Sequence, residues 1–412
     1  MSKVNTANVL FIMVASALVF IMTPGLALFY GGLVPRRNMV NTFVAVFFSC
    51  GLAILLWITV GYSLAFSGNW LGLVGNLHAL FLHGINLDRV LAGSRIPVGL
   101  YVLYQMMFAL ITPALFVGAV VGRVRLPFLA AFIAAWSLLV YYPLVHLVWG
   151  GGLFQQWGVL DFAGGTVVHV NAGVTALVLS LTVGPRPKQA DRHDSPALVL
   201  LGLALLWLGW YGFNTGAALA INDVAIQAML TTTVATAAAI VAWQALELLT
   251  LPHLTLIGTC TGALCGLVAI TPAAGYVTIP GALAIGLVAS LVSYGFVTKL
   301  KPRWGIDDTL DAFGCHGISG IWGSVATGLF ATHRVNAAVT SNGLFYGGGL
   351  TLLGRQLLAT LLTIGYVFLA SWLLITILRR LLPVRPSARD EVRGWLGKDS
   401  ATEAFVGQRW QL

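Results

Sequence analysis

Apolar stretches of about 20 residues recur along the chain until its last 30 positions, each long enough at the helical rise to cross the hydrocarbon core of a bilayer. Inside lipid every backbone N–H and C=O must be satisfied by the segment itself, so stretches of this length read as helices. The expected fold is therefore an all-α polytopic membrane protein. Its composition agrees: 58% of the 412 residues are hydrophobic and only 8% are charged. Spans are expected at 7–33, 38–66, 98–121, 126–145, 161–184, 196–220, 224–249, 255–271, 277–299, 308–331 and 351–381, eleven in all. A transmembrane domain over 1–382 is then followed by a cytosolic tail over 383–412. The first apolar stretch starts at about Asn5 with no short basic segment and no small-residue cleavage site before it, so it is expected to be a structural helix and not a signal peptide.

A formal charge of +9 invites a nucleic-acid reading, but the basic residues alternate between loops that carry them and loops that nearly lack them. One side collects Arg36, Arg37, Arg123, Arg125, Arg186, Lys188, Arg192, Lys299, Lys301, Arg303 and seven basic residues from Arg379 onward, 17 of the 22. The other has Lys3, Arg89, Arg95, Arg334 and, at a helix edge, Arg355. The excess marks the cytoplasm, which puts the N-terminus outside and the C-terminus inside, with the lipid bilayer and no nucleic acid as the partner. The four cysteines, Cys50, Cys260, Cys265 and Cys315, fall inside apolar spans at spacings that match no zinc or redox motif, so packing explains them. The chain has no Asn-x-Ser/Thr sequon, which points to a prokaryotic plasma membrane. No HExxH, GxSxG or paired catalytic aspartate motif argues for an enzyme, and no cofactor or metal is expected.

One pattern occurs twice. "DFAGGTVVHVNAG" places His169 eight residues after Asp161 and four before Gly173, and "DTLDAFGCHGISG" does the same with Asp308, His316 and Gly320. The copies lie five spans apart, and an odd number of spans per repeat reverses the second copy, giving an inverted 5+5 arrangement with a final helix outside it. Repeat one covers about 7–184, repeat two about 196–331 and helix eleven about 351–381. Eight residues correspond to about 12 Å of helix, which sets both histidines near the bilayer midplane, where transporter sites form at repeat interfaces. A single intramembrane histidine also serves as a hydrogen-bonding link between helices; two at matched positions point to a pathway. The aspartates stand where a carboxylate caps a helix N-terminus, and an ionised Asp161 on the outer side also attracts cations.

Aromatic residues flank the first copy: Trp149 in "HLVWGGG", Phe108 in "YQMMFALIT", and Trp210 and Phe213 in "WLGWYGFNTGA". Each alone reads as an interface residue; converging, they bind a small cation through ring faces without burying a counter-charge.

Together "DFAGGTVVHVNAG", "GWYGFNTG", "DDTLDAFGCHGISGIWG", "TPAAGY" and "LFYGGLV", in order from the first span to the last, resemble the ammonium transporter, methylammonium permease and Rhesus protein family. The resemblance implies a homotrimer of eleven-helix protomers, each with its own narrow pore for ammonium or ammonia. It makes His169 and His316 the twin pore histidines, Phe108 and Phe213 the stacked pair at the outer entrance, and Trp149 the vestibule aromatic that contacts the cation. It makes Asp161 the aspartate beneath the recruitment site and Asp308 its counterpart. Phe29, Tyr30, Tyr141 and Trp210 are implied along or near the pore wall.

Two departures stand out. Bacterial relatives usually read "GFNAGS" where this chain reads "GFNTGA", so Ala217 replaces a serine that helps the tryptophan hold the cation; Thr215, two residues earlier, is turned about 200° around the helix axis and points elsewhere. In the tail, Gly394, Ala404 and Phe405 fit the family while Leu396, Ser400 and Ala401 do not, which puts control by a PII-type regulatory protein in question. Transport with net charge movement is the expected function; an ammonium sensor and a passive Rhesus-like gas channel are the alternatives, and the short tail leaves no room for an appended signalling domain.

Overall fold

In a computed structural model of the protein, residues 3–186, 195–387 and 391 are described. The tail positions Gly394, Leu396, Ser400, Ala401, Ala404 and Phe405 lie outside them. The described residues form helices and loops with no strand beyond isolated bridges. Among the described residues, nine helices are long and apolar enough to cross a membrane: α1 (Thr6–Leu33), α2 (Arg36–Phe66), α3 (Val98–Val120), α4 (Leu126–Gln156, interrupted at Gly150–Gly152), α5 (Gly165–Val183), α6 (Pro196–Gly216), α7 (Asp223–Thr250), α9 (Ile279–Arg303) and α11 (Thr351–Leu378). Between them lie α8 (Leu256–Ile270) and α10, formed by Phe313–Ile318 and Ser319–Phe330, at the two remaining expected spans.

The boundaries depart from the sequence expectation where the motifs are. α4 runs as helix to Trp149, four residues past the expected end. α5 starts at Gly165 and α10 near Ala312, so both motif aspartates precede their helices. Each of these helices opens with a wider π-helical turn, Gly165–Val170 and Phe313–Ile318, and each turn contains the motif histidine. Hydropathy is blind to the difference between an α and a π turn, and π turns are frequent at functional sites.

Helix packing follows the repeat. α1 lies along α6 in the most extensive helix pairing, and α5 crosses α10. Glycine makes both approaches close: a Cβ on Gly202 would stand 2.3 Å from the Phe29 nitrogen, and one on Gly173 would stand 2.2 Å from the Gly317 nitrogen. Neither crossing tolerates a side chain, which is the use of small residues at helix interfaces in lipid.

The loops with excess basic residues meet at one end of the bundle. Arg123 is buried there and donates to the Asp307 carbonyl (2.6 Å), with further hydrogen bonds to the carbonyls of Ala119 and Gly184. Its guanidinium is pulled down to about 10 by burial, against the opposing pull of Asp307. Arg186 forms a two-point pair with the Asp307 carboxylate (3.0 and 2.8 Å), and Arg385 reaches the carbonyls of Val183 and Pro185.

Substituting Gly202→Val is expected to cost about 1–3 kcal/mol through overpacking, whereas Gly295→Ala, which faces open space, is expected to be neutral or slightly stabilising. Thermal unfolding of the detergent-purified protein by circular dichroism checks this; equal shifts in both variants refute the close-crossing assignment.

Candidate functional site

Asp161 turns the start of α5 into a closed hydrogen-bonded corner. Its Oδ1 accepts from the N–H groups of Gly164 (2.8 Å) and Gly165 (2.7 Å), and its Oδ2 from those of Thr166 (2.8 Å) and Val167 (3.2 Å). Four otherwise orphaned donors at a helix N-terminus, where the helix dipole also favours negative charge, thus converge on one buried carboxylate. The capping role foreseen for Asp161 is therefore fully occupied in the structure. Gly164 closes the turn at φ 108°, a left-handed value that suits glycine, and a Cβ there would meet the Trp149 ring at 3.3 Å.

Trp149 donates its indole N–H to the Asp161 carbonyl (2.9 Å) and thereby fixes its ring at the edge of a cavity of about 160 Å³. That cavity is lined by Tyr101, Tyr104, Gln105, Phe108, Trp149 and Ala217 among others. Thr215 hydrogen-bonds back to the Tyr211 carbonyl of its own helix and is not part of the lining, as its position around the helix predicted. Phe108, in that lining, lies against Phe213 with centroids 4.3 Å apart and planes tilted by 30°, and Trp149 is edge-on to Phe108 at 5.8 Å.

Below this pair sits a second, much smaller cavity of about 10 Å³, the space of roughly one water molecule. Its wall is apolar (Met22, Leu26, Ile111, Leu115, Val168, Leu206, Leu264) apart from His169, His316 and Trp210. The two imidazoles lie nearly parallel, centroids 5.3 Å apart at 12°, with Nδ1 facing Nδ1 at 3.3 Å. His169 is also stacked on Trp210 (5.3 Å, 14°) and lies 5.9 Å from Phe213. Trp210 is held in turn by its N–H to Thr271 Oγ1 (2.9 Å). Both Nε2 atoms are buried with no protein partner among the described residues. One proton serves two facing Nδ1 atoms, so one ring donates and the other accepts, and their Nε2 atoms then have opposite character: bare on the ring whose Nδ1 is protonated, protonated on the other.

The remaining expected residues are placed elsewhere. Tyr30 donates to the Leu115 carbonyl (2.7 Å), and Phe29 lies beside it with ring centroids 6.3 Å apart. Tyr141 stacks on Trp136 at 5.9 Å. None of these three lines either cavity. Asp308, counterpart of Asp161 in the motif, is not its counterpart in bonding: Oδ2 accepts from the Phe313 N–H (2.7 Å), while Oδ1 is buried without a partner among the described residues. No cluster of three or more His, Cys, Asp or Glu residues suited to a metal occurs among the described residues.

Sequence reading missed Gln356. From α11, outside the repeat, its buried amide accepts from the Leu160 N–H (2.8 Å) and donates to the carbonyls of Leu160 (2.8 Å) and Ser324 (3.1 Å). It pins the residue before Asp161 and ties the α5 corner to α10. A glutamine amide inside an apolar stretch was the available signal. Tyr104, with its hydroxyl on the Phe213 carbonyl (2.8 Å), was missed as well and joins the two halves of the phenylalanine pair.

The model of the Ammonium Transporter Family matches residues 10–401. The ammonium transporter of Bacillus subtilis (strain 168) is 42% identical over 389 residues, 94% of this chain and 95% of that protein. The ammonium transporter of Aquifex aeolicus (strain VF5) is 42% identical over 392 residues, 95% of this chain and 92% of that one. The crystal structure of Saccharomyces cerevisiae Mep2 superposes with TM-score 0.85 at 33% identity, over 94% of this chain and 89% of that one. A solved sensor Amt protein gives TM-score 0.86 at 26% identity, over 94% and 96%.

Asparagine at position 161 keeps one acceptor oxygen but turns an NH₂ group towards N–H donors. Asp161→Asn is therefore expected to destabilise the protein by on the order of 1.5–3 kcal/mol, the worth of hydrogen bonds to a charged group. Thermal unfolding of the purified variant measures it, and an unchanged midpoint contradicts the corner described.

Proposed function

The chain belongs to the ammonium transporter family, and from that premise we propose how it moves its substrate. It is a multi-pass membrane transporter of ammonium and not an enzyme. In the proposed mechanism the cation is recruited in the outer cavity against the faces of Trp149 and Phe108, an attraction of about 0.5–2 kcal/mol when desolvated. The peptide carbonyls and the Asp161 charge below add a favourable field. Passage of the charged form is opposed by the apolar wall, since a charged side chain at a bilayer centre already costs roughly 2.5–3.5 kcal/mol on insertion scales. Ammonium differs from potassium in having a proton to release. Transfer of that proton from the Phe108–Phe213 pair to the bare Nε2 of the imidazole pair beneath it leaves neutral ammonia, which fits a cavity of single-water size; potassium has no such route.

The observation that carries this reading is the pair of imidazoles with facing Nδ1 atoms and unpartnered Nε2 atoms in an otherwise apolar cavity. Ammonia donates to the bare Nε2 and accepts from the protonated one, so each ring satisfies one side of it. The same pair relays a proton: one arriving at the bare Nε2 displaces the shared Nδ1 proton to the second ring, whose own Nε2 proton leaves. Net charge movement follows from this relay. Phe29, Tyr30 and Tyr141 support the wall from behind, and Asp308 stands at the inner end of the conduit. Eleven spans, an outer N-terminus, a transmembrane domain over 1–382 and a homotrimer belong to the same proposal. A PII-type regulator has no support in the described residues.

Recording from the purified protein in liposomes tests the mechanism. A current is expected with ammonium, none with potassium, and His169→Ala is expected to lower the ammonium current at least about tenfold, the usual scale for removing a proton-transfer group. Uptake without current favours the passive channel, and binding without uptake the sensor; either outcome rejects the relay. Restoring a hydroxyl beside Trp149 with Ala217→Ser is expected to lower the half-saturating ammonium concentration several-fold, about 1 kcal/mol for one added hydrogen bond. An unchanged or higher value rejects the role given to Ala217.

A further inference from the structure

The cavity beside Trp149 keeps one acceptor that the transport mechanism does not use. Tyr101, Gln105 and Phe108 fall on one face of α3, spaced four and three residues apart, and all three line that cavity. Gln105 is buried, 9% exposed, and its Nε2 donates to the Tyr101 hydroxyl (3.1 Å). The carbonyl oxygen at the other end of that amide has no protein partner among the described residues, and it is not sealed away from the cavity. The other side-chain oxygens in the lining are engaged. Gln155 Oε1 accepts from the Gly151 N–H (2.7 Å), Tyr104 Oη shares its proton between the carbonyls of Gly212 (3.1 Å) and Phe213 (2.8 Å), and Tyr101 Oη accepts from Gln105.

We propose that Gln105 is a specificity-determining residue of the recruitment cavity: its Oε1 accepts an N–H of the bound cation, a role that Ala217 in the same lining cannot fill. The Tyr101 hydroxyl holds the amide nitrogen and so leaves the carbonyl end to the cation. Without that oxygen, recognition in this cavity falls to ring faces, Trp149 edge-on to Phe108 at 5.8 Å and Phe108 against Phe213 at 4.3 Å.

The chemistry of these groups sets the class of ligand. Ring faces attract a cation whatever its substituents, and aromatic cages are a general device for quaternary ammonium ions, which carry no N–H. A carbonyl oxygen adds a bond that only an N–H cation can make, and a hydrogen bond from a charged donor is roughly twice as strong as a neutral one. Ammonium brings four N–H groups and methylammonium three; tetramethylammonium brings none. Rings and amide together therefore select cations that have a proton to give, before any proton is given. Being neutral, the amide does so without an ion pair that would hold the cation back from the phenylalanine pair.

The flux arm of the test rests on the transport reading above; the binding arm does not. Full-length protein in detergent is equilibrated with radiolabelled methylammonium, and displacement by unlabelled ammonium and by tetramethylammonium is read by scintillation proximity. In the unsubstituted protein ammonium is expected to displace the label at a concentration at least about tenfold lower than tetramethylammonium, the scale of one hydrogen bond to a charged group. Gln105→Met keeps the length of the side chain and removes the acceptor. It is expected to raise the ammonium value at least about tenfold and to leave the tetramethylammonium value within about twofold, which also shows the ring faces to be in place. Tyr101→Phe, which frees the amide to turn, is expected to raise the ammonium value about threefold, the scale of a neutral hydrogen bond. In liposomes the half-saturating ammonium concentration of flux is expected to rise in Gln105→Met as binding weakens. An unchanged ratio of ammonium to tetramethylammonium values in Gln105→Met overturns the assignment. If that variant loses both ligands, Tyr101→Phe decides, an unchanged ammonium value overturning it. Unsubstituted protein that binds ammonium without flux counts against the transport reading, and the binding result then stands by itself.

Discussion

The contact between the Nδ1 atoms of His169 and His316 is the interaction around which the molecule is arranged. Two unlinked imidazoles in a dry cavity would each present a buried polar atom without a partner, at a cost of about 1–3 kcal/mol apiece. Facing each other, they satisfy the Nδ1 atoms mutually and leave the Nε2 atoms without a protein partner among the described residues. The arrangement demands that helices from two halves of the chain cross at main-chain contact, that the rings be held parallel, and that neither helix slide. Trp210 stacked on His169, its tie to Thr271, and the glycines at the crossing meet those demands.

Around that pair the polar groups sort into two kinds. Those that hold the scaffold are saturated: Asp161 by four N–H groups, and Gln356 by three backbone partners. The imidazole pair is left open at its other nitrogens, both Nε2 atoms being buried without a partner among the described residues. In an interior of low dielectric this division distinguishes architecture from chemistry, because an unsatisfied buried group persists only where something else makes its position useful. Asp161 and Asp308 illustrate it: the same residue at the same place in a repeated motif is fully bonded in one copy and half-bonded in the other.

Much of this was legible in the residues. Spans of sufficient length, the basic-loop asymmetry and the eight-residue interval from aspartate to histidine led to a helical membrane protein with mirrored histidines, and the aromatic positions pointed to Trp149, Phe108 and Phe213. Three things were not legible, for physical reasons. The π turns carrying both histidines leave no mark on hydropathy, so α5 was expected to begin at Asp161 instead of Gly165. Tyr141, Tyr30 and Phe29 were carried over by resemblance to positions along or near a pore wall; they are not in the lining of the two cavities described, because position along a helix does not fix which of several apolar neighbours a ring meets. Gln356 joins segments far apart in the chain, and no local pattern announces such a contact.

Main-chain contact at Gly173 and Gly317 separates the dimensions of the conduit from the identity of its packing residues. Where side chains interdigitate, each exchange of a methyl group resets the distance between helices; where backbone lies on backbone, that distance is already at its floor. Leucines, valines and methionines around the bore are therefore free to drift through evolution while ring separation stays constant. The ring separation behaves as a gauge block set by peptide geometry, and only the two hydrogen-sized side chains at the crossing are irreplaceable for its calibration.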